Sequence, residues 1–274
     1  MESGAGIGAT AGENRNFMTT TWILLRGLIR EQAHWQGFDR RLAEVLGEGN
    51  EVRCVDLPGN GRRHHERSPC TVAAMVDAAR AELGDQVLSR RPRLVALSLG
   101  GMVGMDWLRR FPGELGGAAL INSSTARFSP FYQRLQIGNY PRLLSDVLLS
   151  RDTEGKERTI LELTTNLLAP DRLAEVARQW ALIAGQRPVS TANSLRQLWA
   201  ATRFRAPVQL PEGSPVLIVN GGGDRLVSPR CSQALSRAWN RPLSVHPRAG
   251  HDLSLDAPDW LARELKSWAT ASDS

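Results

Sequence analysis

Residues 93–105, RLVALSLGGMVGM, decide how this chain reads. Leu94 to Leu97 form an unbroken aliphatic run, the profile of a strand buried on both faces. Ser98 follows at once, and Leu99-Gly100-Gly101 opens a stretch with helical spacing. A serine on so sharp a strand-to-helix turn is held in a strained backbone conformation, and its hydroxyl stands near the positive end of the helix that follows. Small neighbours allow other backbone to come close on either side. Ala96 occupies the place of the first glycine in the pattern G-x-S-x-G, where a methyl group is tolerated. The same serine would also serve as a plain helix N-cap, so its meaning depends on the rest of the chain.

On both sides of this segment, short aliphatic runs alternate with amphipathic ones. That is the pattern of an α/β protein, a mostly parallel sheet flanked by helices. Strands are predicted at 22–26, 52–56, 94–97, 118–122, 216–220 and 243–246, with helices at 34–46, 72–88, 101–111, 229–239 and 258–268. Between Asn122 and Val216 the alternation stops. These roughly ninety residues carry helical periodicity instead, at Leu143, Leu144, Val147 and Leu148, then Ile160, Leu161, Leu163, Leu167 and Leu168, then Leu173, Val176, Trp180 and Ile183, then Leu195, Leu198 and Trp199. Pro141, Pro170 and Pro188 divide the block into about four helices. The expected organisation is a core of 19–124 and 211–270, a helical cap inserted at 125–210, and a disordered Gly/Ala-rich leader at 1–18, with Met18 the natural start. Trp180 and Trp199 are expected in the core of the cap. Phe128, Phe131 and Tyr132 are candidates to line an acyl pocket.

Composition narrows the function classes. With 274 residues, 42% hydrophobic and 23% charged, the chain is an ordinary folded protein. No window reaches the roughly 18 apolar residues of a membrane span, and the N-terminus lacks a basic region followed by an apolar one, so neither a membrane partner nor secretion is expected. Cys54, Cys70 and Cys231 are scattered, with no C-x-x-C pair and no metal-ligand spacing, which fits a cytoplasmic protein with free thiols and no metal. Cys231 follows Pro229 at a helix start, where a thiolate is favoured unless the sulfur simply fills a gap. The net charge is +6, and residues 125–210 carry 12 Lys/Arg against 7 Asp/Glu. A high pI fits nucleic acid, but no recognition motif accompanies it, so no nucleic-acid partner is expected.

Two further segments bear on Ser98. VLIVNGGGDRLVSP (216–229) places Asp224 just past a buried strand, and SVHPRAGHDLSLDAP (244–258) places His251 in the loop after the last one. A serine hydroxyl needs a base to take its proton, and the base needs a carboxylate to fix its tautomer. The order Ser98, Asp224, His251 supplies all three. Asp252 and Asp256 are expected to shape the histidine loop, and Asp106 to be structural. His64 and His65 fall in a polar run, RRHHER, and His246 ends a strand; none is expected to do chemistry.

From about residue 19 to 268 the chain resembles an α/β-hydrolase with a lid. LLRGLIREQAHW (24–35) resembles the segment after the first parallel strand, with Arg26 where the family usually has histidine. VDLPGNG (55–61) resembles the family's Asp-x-Pro-Gly-x-Gly turn. The resemblance implies an oxyanion hole from the N–H groups of Leu28 and Leu99, ester hydrolysis through an acyl-enzyme, and no cofactor. Arg26 would bind a substrate carboxylate or form a structural ion pair. Relatives that open epoxides or cleave haloalkanes use aspartate at the elbow, and Ser98 argues against both. The nearest resemblance is to small carboxylesterases related to the pimeloyl-carrier-protein methyl ester esterase. It implies a small acyl ester as substrate, with an acidic acyl carrier protein or coenzyme A ester at the basic cap. A thioesterase, a lactonase, a lyase similar to the menaquinone-pathway enzyme, and a non-catalytic binding protein remain alternatives.

Overall fold

In the computed structural model, which describes residues 19–273, the aliphatic runs become one six-stranded sheet. Its strands are β1 (Thr20–Leu25), β2 (Asn50–Val55), β3 (Arg93–Leu97), β4 (Gly117–Ile121), β5 (Val216–Gly221) and β6 (Leu243–His246). They lie in the order β2-β1-β3-β4-β5-β6, and every neighbouring pair is parallel. The expected leader, residues 1–18, lies outside the described residues.

The helices that cover the sheet and build the insertion are α1 (Phe38–Leu46), α2 (Val72–Leu83), α3 (Leu99–Arg110), α4 (Thr153–Thr164), α5 (Pro170–Gln186), α6 (Thr191–Arg203), α7 (Arg230–Trp239) and α8 (Pro258–Asp273). Alternation along each strand sends side chains to opposite faces. Ile23, Leu25, Leu94, Ala96, Leu120 and Ile218 join Met75 of α2, Trp107 of α3 and Leu235 of α7 in one core. Trp22, Leu24, Val95, Leu97, Ile121 and Val219 join Leu42 of α1 and Leu261 and Leu265 of α8 in another. The central strands β3, β4 and β5 are buried throughout, which is why they read as continuous apolar runs.

Two predicted helices are shorter than their periodicity suggested. Residues 34–46 are divided: a 3-10 turn at Gln32–Trp35 ends at Gln36 and Gly37, whose φ values are 52° and 85°, before α1 begins. Residues 72–88 break at Gly84, φ 72°, into α2 and a short turn at Asp85–Leu88.

Among the described residues, the chain between β4 and β5 contains helices and turns but no strand. A π-helical stretch at Leu143–Leu149 precedes α4, and the side chains of Val147 and Leu148 lie outside the described residues. Helices α4 and α5 share a small core of Leu161, Val176, Ala177 and Trp180. Trp199 does not join it. It is 55% exposed, because α6 turns Asn193 and Gln197 inward and its apolar stripe outward. Among the described residues no helix is long and apolar enough to cross a membrane.

Candidate active site

The site begins with β3 running directly into α3. Ser98, between them, has φ 58° and ψ −114°, a region that L residues rarely enter. Its amide donates to Ile121 O at 2.9 Å, and Ser123 Oγ donates to Ser98 O at 2.8 Å, so the turn is held by the end of β4. The glycines explain how α3 fits so near the sheet. A Cβ on Gly100 would stand 2.5 Å from Leu25 O, and one on Gly101 2.6 Å from the Ser123 side chain. Close approach is the reason for both glycines.

The candidate acid and base meet at the same end of the sheet. Asp224 follows β5 and His251 follows β6, and both are buried. One carboxylate oxygen of Asp224, Oδ1, accepts the amides of Leu226 and Val227, each at 2.9 Å. The other, Oδ2, lies 2.7 Å from His251 Nδ1. A carboxylate accepting from Nδ1–H leaves Nε2 with the lone pair, the form a general base requires. Among the described residues neither Nε2 nor the hydroxyl of half-buried Ser98 has a hydrogen-bond partner.

Gly27 lies against Ser98: a Cβ there would be 3.0 Å from Ser98 Cβ and 3.6 Å from Ser98 Oγ. The expected oxyanion donors follow from this contact. Leu28 comes next in the loop, and Leu99 opens α3, where the first amides of a helix lack an intrahelical acceptor. Among the described residues neither amide has an acceptor.

Arg26 takes the second of its two readings. It is buried, with its NH2 2.6 Å from Asp252 Oδ2 and its NH1 3.2 Å from both Asp252 Oδ1 and Ser254 Oγ. The guanidinium also lies 4.9 Å above the Trp35 ring. With its charge committed to Asp252, it is not placed to bind a substrate carboxylate. Burial pushes the Asp252 carboxyl up, but the charge and hydrogen bonds of Arg26, with Ser254, outweigh that and hold it below its ordinary value. The pair joins the loop carrying Leu28 to the loop carrying His251.

The other candidates sort by environment. Asp256 shapes the histidine loop, accepting the amides of Gly250 at 2.6 Å, Asn166 at 2.8 Å and Leu167 at 2.9 Å. Phe128 packs edge-on against Trp239 at the margin of the core, centroids 6.0 Å apart. Phe131 and Tyr132 were expected in an acyl pocket but stand on the surface, 68% and 49% exposed, edge-to-face with each other. Asp106 pairs with Arg109, and His246 accepts the Ala249 amide while packing on Trp260. Cys231 is fully buried, and desolvation raises its thiol, the reverse of the thiolate favoured at a helix start. Burial likewise pushes Cys54 up to about 12.

Two residues that the sequence did not single out organise the site. Asn122, at φ 47°, donates to His251 O at 2.7 Å and accepts the Gly221 amide at 2.9 Å, gripping the loop that carries His251 and the end of β5 together. Gln197 of α6, wholly buried, accepts the Ile29 amide at 2.9 Å and donates to Asn60 Oδ1 at 2.9 Å and Ser68 Oγ at 3.0 Å. Ile29 adjoins Leu28, so a helix of the insertion fixes the loop that presents the candidate oxyanion donor. An asparagine ending a buried strand at β4 was the available signal for the first residue. The second had none, since a glutamine on a helix normally faces water.

Comparisons with known proteins agree with this architecture. A profile described as "Alpha/beta hydrolase family" matches residues 22–264. A Bacillus subtilis (strain 168) protein with the provisional name 2-succinyl-6-hydroxy-2,4-cyclohexadiene-1-carboxylate synthase is 22% identical over 262 residues, 91% of this chain and 90% of that one. The biotin biosynthesis bifunctional protein BioHC of Teredinibacter turnerae is 29% identical over 94 residues, 34% of this chain and only 15% of the relative. Among solved structures, a meta-cleavage product hydrolase of Pseudomonas fluorescens IP01 superposes with a TM-score of 0.71 at 20% identity, covering 92% of this chain and 91% of that one. The malate-bound thermophilic esterase of Thermogutta terrifontis gives 0.70 at 18% identity, with 93% and 91% covered.

Proposed function

Because the chain belongs to the alpha/beta hydrolase family, we propose that it is a serine hydrolase cleaving carboxylic esters through an acyl-enzyme, with Ser98 as nucleophile, His251 as base and Asp224 behind the base. The observation that carries this reading is the 2.7 Å contact between His251 Nδ1 and Asp224 Oδ2, at the sheet end where strained Ser98 stands. Ser98 Oγ attacks the ester carbonyl as His251 Nε2 takes its proton. The tetrahedral oxyanion is held by the Leu28 and Leu99 amides, each worth about 3–4 kcal/mol of barrier. Collapse expels the alcohol, which receives the proton from His251, and a water activated by the same histidine releases the acid. Hydrogen bonds between such a serine and histidine often close only in the Michaelis complex.

The residues at 125–210 act as a cap in this reading, since Gln197 reaches from α6 to the loop beside Leu28. The finer identity of the donor, a small ester or the coenzyme A or carrier-protein ester of an anionic donor, rests on cap charge. Much of that charge is engaged: Arg127 and Arg134 donate to backbone carbonyls, and Arg142 and Arg158 pair with Glu162 and Glu154. The deciding experiment is labelling with a fluorophosphonate probe, followed by turnover across esters, thioesters and lactones. Wild type should be labelled at Ser98, and Ser98→Ala should lose both label and turnover. A fully active Ser98→Ala protein would sink the mechanism.

A further inference from the structure

We propose that the outward face of α6, with the adjoining turn at Phe131–Arg134, is a docking surface for an anionic phospholipid bilayer. The first observation is that α6 is inverted. Its buried positions include Asn193 and Gln197, 5% and 0% exposed, while Leu195, Leu198 and Trp199 are 59%, 42% and 55% exposed at i, i+3 and i+4. An apolar stripe kept in water while polar side chains are buried on the same helix marks a surface with a partner.

Charge gives the nature of the partner. Residues 176–211 contain five arginines and not one aspartate or glutamate. Arg187 is bound to Glu31. Arg178, Arg196, Arg203 and Arg205 have no carboxylate partner among the described residues, and Arg203 lies 4.8 Å over the Trp199 ring. The aromatic turn is tied to the same helix, because the Arg134 guanidinium donates to Ala201 O and Thr202 O at its C-terminal end. Phe131 and Tyr132, on the same turn as Arg134, are exposed as well.

Leu, Trp, Phe and Tyr flanked by unpaired arginines are the side chains of a helix lying in a headgroup layer, apolar face down, with its cations on lipid phosphates. Exposed apolar side chains flanked by cations on one helix suit a fluid, two-dimensional anionic surface. The expectation of no membrane partner came from the lack of an apolar segment of spanning length, and binding at the surface of a bilayer requires no span. The proposal stands independently of the catalytic assignment.

The test is co-sedimentation of the full-length protein with vesicles. Wild type should pellet with phosphatidylcholine–phosphatidylglycerol vesicles, less so at high salt, and not with pure phosphatidylcholine. Leu198→Ser with Trp199→Ser should weaken binding by about tenfold or more. Arg203→Glu with Arg205→Glu should weaken it and remove the salt dependence. Unchanged thermal midpoints would show that both variants are folded. The proposal is overturned if wild type ignores the anionic vesicles or if both variants bind as wild type does. It is equally overturned if the protein is a dimer that Trp199→Ser dissociates, or if the stripe saturably binds an acidic protein and no vesicle.

Discussion

In the proposed mechanism His251 is only as good a base as its tautomer, and one carboxylate oxygen of Asp224 sets it. Asp224→Asn keeps the shape of the side chain but can present its amide N–H to Nδ1, stabilising the wrong tautomer of His251. We expect kcat for a p-nitrophenyl ester to fall by about 10⁴ with circular dichroism unchanged. If Asp224→Asn keeps normal turnover while Asp256→Asn is inactive, the acid is the wrong residue. Ser98, Asp224 and His251 could all be picked out from sequence because each sits in a short local pattern just beyond a strand. Asn122 offered only its place at the end of a buried strand, because its contacts arise where two loops from distant parts of the chain converge on it. Arg26 left two readings open for a similar reason: its partner, Asp252, is 226 residues away.

Elements meet closely enough here that single atoms matter. The methyl of Gly100→Ala would press on the backbone of β1, 2.5 Å from Leu25 O, and must push α3 outward. A loss of about 1–3 kcal/mol is expected in urea unfolding. The Arg26–Asp252 pair adds a pH dependence with a definite sign. The Asp252 carboxyl is held below its ordinary value, so its contribution is fully present above about pH 4, near the unfolded value, and is lost as pH falls through the lowered folded value. Asp252→Asn strands a buried guanidinium and should cost about 3–5 kcal/mol at pH 7. The gap between variant and wild type should shrink as urea titrations move to acid; a gap independent of pH would show that the charge is immaterial. The strands could be located to within about two residues, since burial on both faces writes itself as an apolar run. Helix α6 misled for the opposite reason: its periodicity is real, but the face it buries was chosen by hydrogen bonds to Ile29, Asn60 and Ser68, which leave no hydrophobic trace.

At the scale of the whole molecule, polar contacts hold the insertion on the core. Arg30 pairs with Glu157 of α4 at 2.8 Å, and Arg187 pairs with Glu31. Gln197→Ala should leave the Ile29 amide and Asn60 Oδ1 without a partner, costing about 1–3 kcal/mol. If Leu28 is the oxyanion donor, the variant should also lower kcat more than it raises KM. An unchanged kcat would make Gln197 a structural residue only. The two ends of the insertion meet: Ala126 N donates to Phe204 O at 3.0 Å, and Ala206 N to Thr125 Oγ1 at 2.7 Å. The gap in the core chain is therefore only a few ångströms wide, however long the excursion that begins and ends there. Loop closure grows slowly with length, so the strands are nearly indifferent to how long the excursion from this point is. The junction at Thr125 and Ala206 is therefore a grafting point with a condition: helices of different length and chemistry can be joined there only if they restore what Gln197 gives Ile29 and what Asn166 and Leu167 give Asp256.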